Sequence, residues 1–135
     1  MEFLSQWYYY FSLKGNVAKM FNTKKIIKIF NAFDRRIKYP YYSTKWTFIF
    51  CHDDDIISLN LALKLGSAKC SSDLFYKGKT DALNCETNGN LFSSNIIIEL
   101  HEEWGRHYVK VRSSGVYMNL CGKRQKECEY NTFKR

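Results

Sequence analysis

From position 26 the chain reads Ile26, Ile29, Phe30, Phe33 and Ile37, with Ile27 adding to the row. That three- and four-residue spacing predicts an amphipathic helix within "TKKIIKIFNAFDRRIK". Lys24, Lys25, Lys28, Arg35 and Arg36 fall on its wet side, and Thr23 is a candidate N-cap. Pro40, the only proline, then forces an extended or turning backbone at Tyr39. Beyond it the period becomes two. "STKWTFIF" is rich in β-formers. In "IISLNLALKLG", Ile57, Leu59, Leu61, Leu63 and Leu65 alternate with polar or small residues, which predicts a half-buried strand closed by Gly66.

After Asp73 the apolar runs are short and evenly punctuated. "LFYKG" leads to "DALNCETNGNLF", whose Asn88-Gly89 is a strong hairpin signal. "NIIIEL" reads as a buried strand, "EEWGRHYVKV" turns near Gly105, and "SSGVYMNLCGK" turns at Ser114-Gly115 and again at Cys121-Gly122. Such spacing of turns predicts a barrel or sandwich. The expectation is therefore a mainly β chain, with a basic α-helical or irregular extension over residues 1–66 that holds an amphipathic helix and one or two strands, and the β region over 67–135.

Charge sharpens this division. The net charge is +8, and residues 1–72 hold eleven Lys or Arg against five acids, so the basic excess is mostly N-terminal. A basic surface suits nucleic acid, sulfated glycans or an anionic membrane face, and equally an ordinary solvated surface. No apolar run approaches the roughly 20 residues of a membrane-spanning helix. The opening "MEFLSQWYYYFSLKG" lacks a basic region ahead of its aromatic stretch and a small-x-small site after it. A conventional cleaved signal is not expected, whereas an atypical export signal stays open.

Candidate chemistry is sparse. The cysteines at 51, 70, 85, 121 and 128 are odd in number and lack zinc spacing, so they read mainly as free or buried thiols, with a Cys121–Cys128 bridge left open. His52 beside Asp53, Asp54 and Asp55 offers metal-ligand types, but adjacent aspartates are more simply turn residues. His101 next to Glu102 and Glu103 is the nearest thing to an acid–base cluster. No nucleophile elbow or phosphate loop accompanies it, and neither an enzyme, a cofactor nor a resident metal is expected.

The succession Leu74-Phe75-Tyr76, Gly78, Leu83, Asn88-Gly89 and Leu91, then "NIIIELHEEWGRHYVKV", then Ser113, Gly115, Tyr117, Met118 and Leu120, and finally Glu127-Cys128-Glu129-Tyr130 resembles the fibroblast growth factor family. The resemblance covers residues 73–130 and implies a partial or truncated β-trefoil, because the family continues for about another third of its trefoil. It departs from the pattern in a shorter loop between Phe92 and Asn95, a residue lost between Leu120 and Gly122, and Asn131 and Thr132 where the family has a glutamate.

The resemblance implies a secreted signalling ligand for a receptor tyrosine kinase ectodomain, assisted by heparan sulfate. It puts receptor contact at Phe75 and at the aromatic position of Tyr130, where packing competes with contact. Heparin binding falls to the basic cluster Lys123, Arg124, Lys126, Lys134 and Arg135. Cys128 and Tyr130, two apart, are expected to face the core together. The same inward orientation is expected of Leu83, Ile97 and Tyr117. The alternatives are an intracellular nucleic-acid or polyanion binder, using the basic helix with Tyr8, Tyr9 and Tyr10 for stacking, or a truncated product without function.

Overall fold

A computed structural model describes residues 16–65 and 94–135, apart from 123. The first element is the predicted helix, α1, Asn16–Lys38. It begins seven residues before the expected cap. Thr23 is interior to it, and its hydroxyl donates back to the Lys19 carbonyl at 2.8 Å. Arg35, Arg36 and Lys38 occupy the last turn, where cations complement the helix dipole. Pro40 follows at once, and Arg36 ties the exit down by donating to the Pro40 carbonyl and, at 3.4 Å, to Ser43 Oγ.

Two expected strands are not strands. Residues 44–52 run without regular structure, and Trp46, Phe48 and Phe50 are exposed. Their β propensity describes a fit to a half-buried pleated surface, and among the described residues no neighbouring strand offers one. The alternating leucine run is instead helix α2, Asp53–Ala62. The start signal outweighs the alternation. Asp53, Asp54 and Asp55 load the first turn with negative charge, and Asp55 accepts from the His52 backbone N–H at 3.2 Å. Lys25 of α1 pairs with Asp55, joining the two helices. The helix closes through Lys64, whose φ is 58°, with the Leu65 N–H donating to the Asn60 carbonyl at 2.8 Å. Gly66, expected to close a strand here, lies outside the described residues.

Residues 94–135 form an antiparallel sheet, as the turns near Gly105 and at Ser114-Gly115 predict, while the Asn88-Gly89 hairpin lies outside the described residues. β1, Ile96–Glu103, pairs with β2, Arg106–Ser113, over its whole length from Ile96↔Ser113 to Glu103↔Arg106. Trp104 and Gly105, with φ of 53° and 74°, make the two-residue connection, so both central residues are left-handed as a primed turn requires. Ser114-Gly115 does the same before β3, Val116–Tyr117.

β3 and the short β4, Glu127–Glu129, both pair antiparallel with β2. Their partners, Ser113 and Arg112 for β3 and Lys110 to Tyr108 for β4, follow one another down the same strand. They therefore lie end to end, like one strand interrupted by a looped-out segment, residues 118–126. Met118 N–H to Val111 carbonyl (2.9 Å) and Leu120 N–H to Gln125 carbonyl (2.9 Å) hold the loop, and the Cys121–Cys128 disulfide pinches its base. The two Cα atoms lie 5.4 Å apart, a separation that a disulfide spans. Cys128 is thus buried as half of a cystine, not as a free thiol.

One core serves both halves. Leu65, Val109, Val111, Met118 and Tyr130 are buried together, with Phe30, Phe33 and Ile37 of α1 and Ile96, Ile98 and Leu100 of β1 packed against them. The hydrophobic stripe of α1 lies over one face of the sheet, as burial of both apolar surfaces demands. Among the described residues the content is consequently mixed, and not mainly β: helical within 16–65 and sheet within 94–135. Tyr130 opens a four-residue terminal helix, α3, Tyr130–Phe133, and is core-facing beside Cys128 as expected. Ile97 and Tyr117 are not, and Leu83 lies outside the described residues. The register puts Ile97, Arg112 and Tyr117 in one row on the other face, and Met118 takes the inward position.

Candidate anion-binding site

Because side chains alternate along a strand, the sheet face turned away from α1 carries the polar set. Its rows are Ile97, Arg112 and Tyr117, then Glu99, Lys110 and Glu127, then His101, Tyr108 and Glu129. Glu99 is the hub. It accepts from Tyr117 Oη at 3.3 Å and pairs with His101 Nε2 at 2.8 Å and Arg112 at 3.9 Å. Arg112 also lies over the Tyr117 ring, 5.7 Å from its centre. His101 is therefore engaged by Glu99, two residues back on its own face, while Glu102 and Glu103 are exposed.

Beside this face a shallow cleft of ≈ 910 Å³ opens under the 118–126 loop, lined among others by Tyr108, Lys110, Tyr117, Arg124 and Lys126. Arg124, at φ 70°, and Lys126 are exposed on the loop, and neither is ion-paired to a described acid. Lys110 reaches Glu127 at 3.4 Å from the floor. Glu129 is occupied elsewhere, accepting from Thr132 N–H at 3.1 Å and from Asn131 at 3.0 Å. Desolvation acts against those hydrogen bonds, but together they hold the Glu129 carboxyl below its ordinary range. An anion in this cleft would meet two cations that no described acid pairs, with tyrosines beside them.

The basic cluster expected from sequence is split by the fold. Arg124 and Lys126 line the cleft; Lys123 and Phe75 lie outside the described residues. Lys134 is turned to the helix, 2.6 Å from Asp34 and over the rings of Tyr130 and Phe30. Arg135 is exposed beyond it. Tyr130 is 4% exposed, so its ring offers a partner no surface. Its hydroxyl donates to Asp34 at 2.8 Å and to the Phe30 carbonyl at 3.2 Å. Lys110 was not singled out by sequence. Its place in the cleft depends on the pairing of β2 with β4, which spacing along the chain does not show.

The basic helix face is divided as well. Lys25 and Arg36 are committed to Asp55 and to Pro40 and Ser43, while Lys24, Lys28 and Arg35 are exposed. His52 to Asp55 form the entry of α2, and among the described residues no three His, Cys, Asp or Glu side chains gather as metal ligands. Tyr8, Tyr9 and Tyr10 lie outside the described residues. Comparison of the chain with protein-family models, with curated proteins and with solved structures gave no match.

Proposed function

We propose that the chain is a growth-factor-like signalling ligand that engages a receptor tyrosine kinase ectodomain, with a sulfated glycan held at Arg124, Lys126 and Lys110. On this reading the hairpins after residue 94 are trefoil-type units. The observation that carries it is the interrupted β3–β4 strand. It brings the Gly115 turn and Tyr117 end to end with the Glu127-Cys128 pair along β2, and loops Arg124 and Lys126 out toward solvent. The disulfide at the base of that loop also suits an oxidising, extracellular setting.

Sulfate groups are recognised by charge and by the planar fork of arginine, which the cleft presents with no acid among the described residues paired to Arg124. The test is binding of the purified full chain to fibroblast-growth-factor-receptor-type ectodomains immobilised on a sensor, with and without heparan sulfate oligosaccharide. Association strengthened by the oligosaccharide, and weakened in R124A/K126A, is the expected result. Absence of ectodomain binding in both conditions would refute the reading.

A further inference from the structure

The outer face of α1 carries an unusual mixture. Val17, Met20 and Ile27 are exposed, Met20 to 76%. Between and beyond them stand Lys24, Lys28, Arg35 and Lys38, all exposed and none ion-paired to a described acid. Their three- and four-residue steps put them on one side of the helix, opposite Phe30, Phe33 and Ile37 in the core. The only acid in α1, Asp34, is engaged by Tyr130 and Lys134. A cationic row from Lys24 to Lys38 thus spans about 21 Å of the helix at 1.5 Å per residue, with Val17, Met20 and Ile27 as its apolar neighbours.

A second feature adjoins it. Residues 39–52 leave the end of α1 and return along its flank, anchored at Arg36 and, through Asp55, at Lys25. Those two anchors are eleven residues apart, three helical turns, and so lie on one side of the helix next to the cationic row. This strap exposes Tyr41, Tyr42, Trp46, Phe48 and Phe50, the last to 95%, with Trp46 and Phe48 stacked at 6.5 Å. So much aromatic surface in water, beside cations that no described acid pairs, requires an explanation.

We infer that the outer face of α1 and the 39–50 strap form a peripheral docking surface for an anionic lipid bilayer. Lysine and arginine on this row would meet anionic headgroups, each worth roughly a fivefold gain in affinity near such a surface. Met20, Ile27 and the strap aromatics would settle at the boundary between headgroup and acyl chain, where Trp and Tyr are favoured. A nucleic-acid backbone would use the cations equally well but would leave Met20, Ile27 and Phe50 in water. No helix among the described residues is long and apolar enough to cross a membrane, and the surface calls for attachment only.

The experiment is flotation of the full chain with phosphatidylcholine vesicles, with and without phosphatidylserine. The chain floats with the phosphatidylserine vesicles alone, and less as salt rises. K24Q/K28Q/R35Q weakens association by about 100-fold. W46A/F48A weakens it while leaving its salt dependence in place. A W7F/W104F chain, in which Trp46 is the sole reporter, shows a fluorescence blue shift only with the anionic vesicles. Failure to float, equal flotation with neutral vesicles, indifference to the triple replacement, or preference for single-stranded DNA over the vesicles each overturns the proposal. Receptor binding through the sheet face would be unaffected by any of these outcomes.

Discussion

The phenol of Tyr130 donates to Asp34 at 2.8 Å, joining residues 96 positions apart and fastening the chain's last turn to α1. The same ring meets Phe30 and Phe33 edge-on, at 6.3 and 5.9 Å. Lys134, one turn further on, takes the other Asp34 oxygen. Burial, and then the Asp34 carboxylate, push the Tyr130 hydroxyl well above the ordinary phenol range.

Two replacements separate the ring from its hydroxyl. Y130F removes a hydrogen bond to a charged group and is expected to lower stability by about 1–2 kcal/mol. Y130A also removes a buried ring, and about 3–5 kcal/mol is expected. Urea unfolding followed by far-UV circular dichroism measures both. Equal midpoints for the two variants would mean that the ring is not packed as described.

Acid should loosen both cross-links to α1. The hydrogen bond from Lys134 chiefly lowers the Asp34 pKa, against some desolvation, and that from Lys25 does the same for Asp55. A carboxyl held low in the folded state binds its proton less readily than in the unfolded chain. Its contribution is therefore complete above the ordinary carboxylate pKa of about 4 and is lost as pH falls through the depressed value. Both pairs are partly exposed, so each is worth on the order of 0.5–1 kcal/mol. Urea midpoints between neutral pH and about pH 3 should fall less steeply in D34N/D55N than in the parent. Superimposable profiles would remove these pairs from the account.

The cystine at the base of the 118–126 loop closes a short ring, with a sequence separation of 7. Loop entropy for that length predicts a loss of about 2–3 kcal/mol in C121S/C128S. The expected readout is a lower unfolding midpoint, insensitive to added reductant. A parent chain equally insensitive to reductant would argue against the bridge.

The split of the C-terminal cations makes a distinction that sequence did not. R124A/K126A and K110A should each reduce the salt needed to elute the chain from heparin, at about 1–2 kcal/mol per cation lost. K134A should elute with the parent and unfold more easily, since its ammonium is engaged at Asp34. A fall in retention for K134A matching that of R124A/K126A would return Lys134 to the glycan site.

The sequence by itself determined the elements whose local signals agree with one another. The apolar spacing of Ile26 to Ile37 made a helix, and left-handed turns at Gly105 and at Ser114-Gly115 made hairpins, because these patterns favour one backbone and no competing signal stood nearby. Residues 56–65 show the contrary case: alternation in a short leucine run fits strand or helix, and the acidic first turn with Lys25 across from it selected the helix.

Tertiary structure alone decided which residues meet. Lys110 joined the cleft, Tyr117 turned outward while Met118 turned inward, and Lys134 left the basic cluster for Asp34. Each of these depends on strand register or on contacts nearly a hundred residues apart, and a one-residue change of register reverses the face of every side chain.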